Sequence, residues 1–568
     1  MDARIETGGY SGPDGGATVN AAADRLARVL AYHERTKHRL ERYAAGPETL
    51  DWDSQPDPFR CFEGAPKVRL PLAADRLTTS FGALFEPGVV APQPLSLETI
   101  GILLELSLGL SAWKEYGPDR WALRCNPSSG NLHPTEGYII CRAVPELPDG
   151  VYHYVSRDHV LERRCRSAAE QLPATAPRLL LALTSIHWRE AWKYGERAFR
   201  YCQLDTGHAL GALRYAAAAL GWSLRWVSQA GFSELSAGLG LDRHEDFSGA
   251  EREEPELLLE LITDPLASES DPTDLVSAGN AWSGRANVLD PHPMYRWPVI
   301  DEVAEATRAP GMDPEPGATA VYPPRPGLSA EPAAALIRQR RSAQHFDRRQ
   351  VLSAADFYGL LDALLPRPVP PWDAWSFTPR LHPVFFVHRV EGLPPGLYIL
   401  PRRAAIEPSL KAALHGEFNW IKPAGCPEHL PFFRLSEADC GKLSRTVNCH
   451  QAIGADGAFA LGMLAEFEAT LTAAPWRYRQ LYWEAGLLGQ VLYLEAEAIG
   501  IRGTGIGCYF DDVFHELLGL SGRAFQSQTV ASGAPNRPFQ SLYHFTVGFP
   551  LTDSRILTLP PYGGRNSD

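Results

Sequence analysis

Apolar positions recur along the 568-residue chain in two ways, on helical spacings and in short β-like runs. From Ala17 to about Ala45, Leu26, Val29, Leu30 and His33 fall on a helical spacing with charges between them, which predicts a helix with His33 and His38 at the solvated surface. The proline-punctuated stretch 51–71 reads as an arm extended over the first domain. Leu95-Ser-Leu-Glu-Thr-Ile-Gly-Ile-Leu-Leu104 has a helix start at Ser96 and an apolar face after it. Residues 138–142, 150–155 and 179–184 are strand candidates, and 205–220 is an Ala-rich helix opening on the acidic Asp205. Strands mixed irregularly with helices predict an α+β chain.

Residues 266–330 are rich in Pro, Gly, Ser and Asp and read as a linker or surface wrap. The pattern then begins again. Leu352-Ser-Ala-Ala-Asp-Phe-Tyr-Gly-Leu-Leu361 echoes Leu95 to Leu104, Leu381-His-Pro383 echoes Leu132-His-Pro134, and Leu393-Pro-Pro-Gly-Leu-Tyr398 echoes Leu147-Pro-Asp-Gly-Val-Tyr152. Gly486 to Gly500 echoes Gly207 to Gly221, and Phe510 to Leu520 echoes Gly231 to Leu241, both at an offset of 279. This is a tandem duplication. It predicts an N-terminal helix and arm (1–60), a first domain (61–265), the linker (266–330) and a second domain (331–568), in keeping with a length beyond what one core usually serves.

A net charge of -13 argues against unspecific binding to nucleic acid or an anionic membrane. No apolar run of signal or membrane-spanning length is visible, so a cytoplasmic location is expected. Nine cysteines without a Cys-x-x-Cys pair suggest reduced thiols. Cys426, His429, Cys440, Cys449 and His450 match no standard zinc spacing, and no metal is expected.

Candidate chemistry concentrates in Arg124-Cys-Asn-Pro-Ser-Ser-Gly-Asn-Leu-His-Pro-Thr-Glu-Gly-Tyr138. Its prolines fix the chain and Gly130 permits close backbone approach to a bound group. The side chains of Ser128, Ser129, Asn131 and His133 suit one small polar ligand. The run Asn-Pro-Ser-Ser-Gly-Asn-Leu-His-Pro resembles the nitroreductase-superfamily loop that lies against FMN, and the wider run to Tyr154 resembles the SagB-type dehydrogenases. Arg340-Arg-Ser-Ala-Gln-His-Phe346 resembles the Arg-Arg-Ser opening of nitroreductases, with Gln344 where a second basic contact is usual. Two guanidiniums and a hydroxyl suit a phosphate dianion.

That resemblance implies two nitroreductase-like domains, each a mostly antiparallel sheet flanked by helices, forming a pseudo-dimer within one chain. It also implies a flavin site shared between them. The first half would supply Pro127, Ser128, Ser129, Gly130, Asn131 and His133. The second half would supply Arg340, Arg341, Ser342, Gln344 and the turn bearing Thr504, Gly505, Ile506 and Gly507, with Arg555 adding a phosphate contact. The counterpart of Arg340–Ser342 in the first half lies near Gly82-Ala-Leu84, which could not hold a phosphate. The second half has Phe377-Thr-Pro-Arg380 in place of the Pro-Ser-Ser-Gly-Asn loop, and the first has Leu224-Arg-Trp-Val-Ser228, without glycine, in place of the Gly503–Gly507 turn. One FMN per chain is therefore expected.

Lys193-Tyr194 resembles the Lys-Tyr pair that SagB-type azoline oxidases place beside the flavin, which implies a base and a relay for dehydrogenation. Asp205 and His208 read as capping and packing residues. The activity implied is FMN-dependent oxidation of a peptide or peptide-derived product, such as azoline to azole, with oxygen re-oxidising the flavin. The implied partners are that substrate and other biosynthetic enzymes. The rival readings are an NAD(P)H-dependent nitro- or quinone reductase and a non-catalytic scaffold that binds a partner peptide.

Overall fold

The computed structural model describes residues 14–166, 176–264, 271–276, 281–312, 322–325, 327, 329–520 and 537–563. Two antiparallel sheets organise it. In the first, Gly150–Val155, Thr135–Arg142, Arg178–Ser185, Glu254–Ile262 and Ser223–Trp226 lie side by side in that order, with Val160–Arg166 beyond Gly150–Val155. In the second, Gly396–Ile399, Leu381–Val387, Phe459–Glu466, Phe539–Gly548 and Arg502–Ile506 take the same order, with Phe433–Glu437 beyond Gly396–Ile399. Such sheets with helices packed on them make an α+β architecture.

Between the sheets cross two 22-residue helices, Ala198–Ala219 and Arg477–Ala498, at the same offset of 279 residues. They meet at Gly207 and Gly486. A Cβ built on Gly207 would stand 2.1 Å from the Trp483 carbonyl oxygen, and one on Gly486 would stand 2.1 Å from that of Leu204, so no larger residue fits this crossing. Both helices are buried over nearly their whole length. One hydrophobic core, from Val29 through Leu210 and Leu487 to Val547, runs continuously through both halves.

The helix at Leu97–Ser107 starts on a Ser96–Thr99 capping box, and its counterpart, Ala354–Ala363, starts on Ser353. Several expectations shift. The first long helix ends at Arg35, and His33 and His38 are buried rather than solvated. His33 sits 3.2 Å from both the Tyr478 hydroxyl and Gln540 Oε1, because the arm folds onto the second half. The Ala-rich helix begins at Ala198, which places Asp205 in its interior. The Leu-His-Pro echo is not a structural equivalence. Gly150 pairs with Cys141 as Gly396 pairs with Val387, and that register sets Thr135, not Leu132, in the place of Leu381. The segment read as linker contains a helix, Pro298–Ala306, whose Val299, Ile300 and Val303 are buried.

A C-terminal strand, Leu557–Leu559, pairs with Leu110–Tyr116 of the first half, itself hairpinned with Asp119–Arg124. The second half thereby closes over the start of the polar loop. No helix among the described residues is long and apolar enough to cross a membrane, and none of their His, Cys, Asp and Glu groups is arranged to hold a metal ion.

Candidate functional site

A cleft of about 460 Å³ opens where the halves meet, within the range of small-molecule and cofactor pockets. Pro127, Ser128, Ser129, Gly130, Asn131, His133 and Tyr194 of the first half line it, opposite Arg340, Arg341, Ser342, Gln344, Thr504, Gly505, Ile506 and Gly507 of the second. The chain thus brings together segments more than 200 residues apart.

One end is cationic. Arg340, buried, donates from Nε to the Cys125 carbonyl (3.3 Å) and from Nη2 to that of Arg124 (3.1 Å), and its guanidinium lies 5.1 Å from the Tyr493 ring. Arg341 donates to Ser111 Oγ (3.2 Å) and to the carbonyls of Arg338 and Arg340 (2.7 Å each). Burial and then the neighbouring Arg340 lower the Arg341 guanidinium to about 10. Lys114, on the hairpin of the first half, is drawn down by burial and by Arg341 and Arg502. Arg502 has Glu497 at 3.5 Å, but among the described residues no carboxylate pairs with Arg340, Arg341 or Lys114. Glu497 is a nearby counter-charge for Arg340 and Arg341 but ion-pairs with neither, so three cations against one carboxylate leave a net positive end that fits an anion such as a phosphate dianion.

The middle of the cleft is tied together by Tyr493. Its hydroxyl lies 2.8 Å from Ser342 Oγ and accepts the Gly505 N–H (3.0 Å), while Thr504 Oγ1 donates to the Ala343 carbonyl (2.6 Å). The Arg-Arg-Ser segment and the glycine turn are therefore one rigid unit. Gly505 is forced: a Cβ there would lie 1.8 Å from the Tyr543 hydroxyl, which also contacts His208 Nε2 (3.1 Å).

On the opposite wall the loop is shaped by its own bonds. Ser128 Oγ accepts the His133 N–H (2.8 Å), and Asn131 Nδ2 donates to the Ala122 carbonyl (2.9 Å). His133 is buried with neither ring nitrogen bonded, and burial holds it neutral. An orphaned polar ring on the cleft wall suits a polar ligand that satisfies it.

Asp205, read from the sequence as a capping residue, lines the cleft, as do Tyr493 and Tyr543, which the sequence did not single out. The Asp205 carboxyl accepts the Ser129 N–H and Oγ–H, both at 3.0 Å, and burial pushes it up to about 7. Glu190, one helical turn before Lys193, is buried with both oxygens unbonded. Burial first, then the nearby Asp205, pushes Glu190 well above the carboxylate range. The equivalent of Asp205 in the other half is Glu484, which accepts the Arg380 N–H (2.9 Å) but is also ion-paired with Arg402. Asp205 lacks that cation, and its burial without a paired guanidinium is what raises its carboxyl.

Two expected residues stand elsewhere. Arg555 is not on the cleft wall: it is exposed, pairs with Asp553 (2.7 Å) and lies over the Tyr116 ring, because the strand after it turns toward the hairpin. Lys193 also lies off the wall, with Nζ 5.2 Å from the Trp52 ring and 5.4 Å from that of Tyr194. Burial lowers its ammonium and Glu190 opposes that. Tyr194 reaches the cleft and Lys193 stands behind it.

The pseudo-equivalent position in the other half is packed shut. Trp226, counterpart of Gly505, lies against Phe377 (4.5 Å between centroids), Trp483 and Trp375, leaving a cavity of about 30 Å³.

Comparison with known proteins agrees with this architecture. Residues 90–250 match the model of the Nitroreductase family. A Methanocaldococcus jannaschii protein named as a nitroreductase is 26% identical over 137 residues, a match that spans 22% of this chain and 66%, just under two thirds, of that protein. A crystal structure from Anabaena variabilis, described as a nitroreductase, is 21% identical with a TM-score of 0.63, and the match covers 92% of this chain and 99% of that one. The fold resemblance therefore extends through both halves. Residues 90–250 are thus similar to the Nitroreductase family, and the chain as a whole has a nitroreductase-like α+β fold.

Proposed function

We propose that this chain is an FMN-dependent oxidoreductase with one flavin site, shared between its halves. The observation that carries the reading is the cleft where the halves meet. Arg340, Arg341 and Lys114 stand at one end of it without a carboxylate ion pair among the described residues, and the polar loop of one half faces the glycine turn of the other. Bound FMN would supply hydride chemistry, and the residues of the chain would bind it, orient it and handle protons. The cationic end would take the phosphate. The Gly503–Gly507 backbone would follow the ring edge, and Ser128, Ser129 and His133 would face it from the other half.

The direction of reaction is read from the proton-handling groups. Oxidation of a ring or amine in a peptide-derived product needs a group to take the proton released as hydride leaves, and Asp205 near neutrality, with Glu190 behind it and Tyr194 on the wall, is placed to do so. In this reading the chain acts as a SagB-type dehydrogenase with oxygen as the acceptor, the direction implied by the resemblance of its Lys193-Tyr194 and Pro-Ser-Ser-Gly-Asn runs. Lys193 is a positioning residue in this reading, acting through Tyr194 and Glu190.

Flavin released per purified chain tests the first part. One equivalent is expected. Two would mean that the Trp226-filled position opens, and none, after reconstitution with excess FMN, would sink the reading. Rapid bleaching of the bound flavin by NADPH without any peptide would overturn the dehydrogenase direction.

A further inference from the structure

Every residue of the strand Phe539–Gly548 is buried, and from Phe549 to Pro561 none is. Burial returns at Tyr562, 8% exposed, which packs with Phe59, Leu110 and Ala122 of the first half. Between these two fixed points the segment lies along the cleft, with Pro550, Leu551, Thr552, Asp553 and Ile556 on its wall. Leu551 pairs with His345, the neighbour of Gln344, and Leu557–Leu559 pairs with Trp113–Glu115 of the first-half hairpin. The segment therefore bridges Arg340–Gln344 to the hairpin that carries Lys114, over the cationic end.

Its attachments concentrate at the far end. The Tyr562 hydroxyl donates to the Ser156 carbonyl (2.9 Å) and accepts the Leu110 N–H (2.8 Å). Trp113 Nε1 donates to the Pro561 carbonyl (3.1 Å), and Lys114 Nζ donates to Thr558 Oγ1 (2.6 Å). The stretch between the two strand pairings is bonded to itself: Arg555 donates to both Asp553 carboxylate oxygens, and the Ile556 N–H donates to the Asp553 carbonyl (3.2 Å). Arg555 thereby neutralises the carboxylate that the segment sets on the cleft wall. Leu551 and Leu557 are 52% and 55% exposed, so little apolar burial holds the segment down.

We propose that residues 549–562 form a strap that gates the cationic end of the cleft, with Tyr562 as its latch and the Lys114–Thr558 bond as a clasp. The ligand it admits and releases is a phosphate-bearing cofactor, FMN in the reading above, on which this inference rests. An ammonium has three donors, so Lys114 can keep Thr558 and also take a phosphate oxygen. Occupation of the cationic end then draws the closed strap onto the ligand.

A gate is a two-state element through which ligand passes only in the open fraction. Weakening the latch raises uptake and release together and leaves affinity nearly unchanged, whereas loss of a direct contact to the ligand raises release alone.

Tyr562→Phe keeps the packed ring and removes both hydrogen bonds of its hydroxyl. Uptake of FMN by the apoprotein and its release on dilution, both followed by flavin fluorescence, are expected to quicken about tenfold, the equivalent of two lost hydrogen bonds, with Kd changed by less than about threefold. Release that quickens alone, or no change in either rate, would overturn the gate. Hydrogen exchange read by mass spectrometry tests the strap in the wild type. The paired amides of Leu557–Leu559 are expected to exchange well before those of Phe539–Gly548, to slow when FMN is added, and to exchange sooner still in Tyr562→Phe. Exchange as slow as that of Phe539–Gly548 would overturn the inference even where FMN binds. Failure of the wild type to take up FMN would sink the flavin reading, and the exchange of the apoprotein then decides whether the strap lifts.

Discussion

The Tyr194 hydroxyl occupies the space where a side chain on Gly130 would begin: a Cβ built there would lie 2.5 Å from it, and Gly130 has φ +60°. Gly130→Ala therefore strains the backbone and displaces Tyr194 together. We expect a loss of about 1–3 kcal/mol in unfolding free energy, read by urea denaturation, and weakened flavin retention. A variant as stable as the wild type would show that the loop yields at no cost.

Arg341→Met should weaken FMN binding by about 10- to 100-fold, the equivalent of one charge-assisted hydrogen bond of about 1.5–3 kcal/mol. Lys114→Met should act in the same direction and flatten the salt dependence, because neither cation makes a carboxylate ion pair among the described residues. Ser129→Ala, in the other half, should also lower retention. Unchanged retention in the Ser129 variant, measured by equilibrium dialysis, would argue against a shared site.

Asp205 gives a pH signature in the apoprotein. Its folded pKa of about 7 lies above its unfolded value of 3.8, so its contribution is full below about pH 4 and is lost as pH rises toward 7. Asp205→Asn removes this slope. The variant should therefore gain on the wild type by roughly 2–3 kcal/mol between pH 5 and 8, as an upper estimate. A stability difference that does not change with pH, from urea melts at both values, would mean that Asp205 is ionised throughout.

Gly486→Ala should be among the most damaging single-methyl changes in the molecule. Its Cβ would collide with the Leu204 carbonyl oxygen and the Gly207 Cα at 2.1 and 2.9 Å, and backbone cannot rotate aside as a side chain can. We expect destabilisation of about 3 kcal/mol or more, with a fall of several degrees in Tm by calorimetry. Gly500→Ala is a control with open space around it, costing only the backbone strain of its φ of 76°.

The repeat was legible because its glycines and helix caps are local features. The offset of 279 between Gly207 and Gly486 survives in the structure as two helices of identical length. The polar loop, Arg340–Ser342 and the glycine turn were legible as breaks in apolar pattern. Tyr493, Tyr543 and Asp205 were not, since each sits inside a long helix or strand where it reads as one more position in a periodic run. Asp205 acquires its character only from burial and from what is missing beside it, the counterpart of Arg402. Lys193 was expected beside the flavin from the resemblance of Lys193-Tyr194 to a Lys-Tyr pair, but adjacent helical residues point about 100° apart, and of the two only Tyr194 lines the cleft.

Trp226 and Gly505 stand at equivalent places in one covalent chain. In an assembly of two identical chains, a glycine-to-tryptophan change would appear twice and close both pockets. Here it appears once. One position is filled by a knot of aromatic rings at the seam of the halves, and the other keeps its opening, so a tryptophan that packs on one side of the axis would fill the cleft on the other.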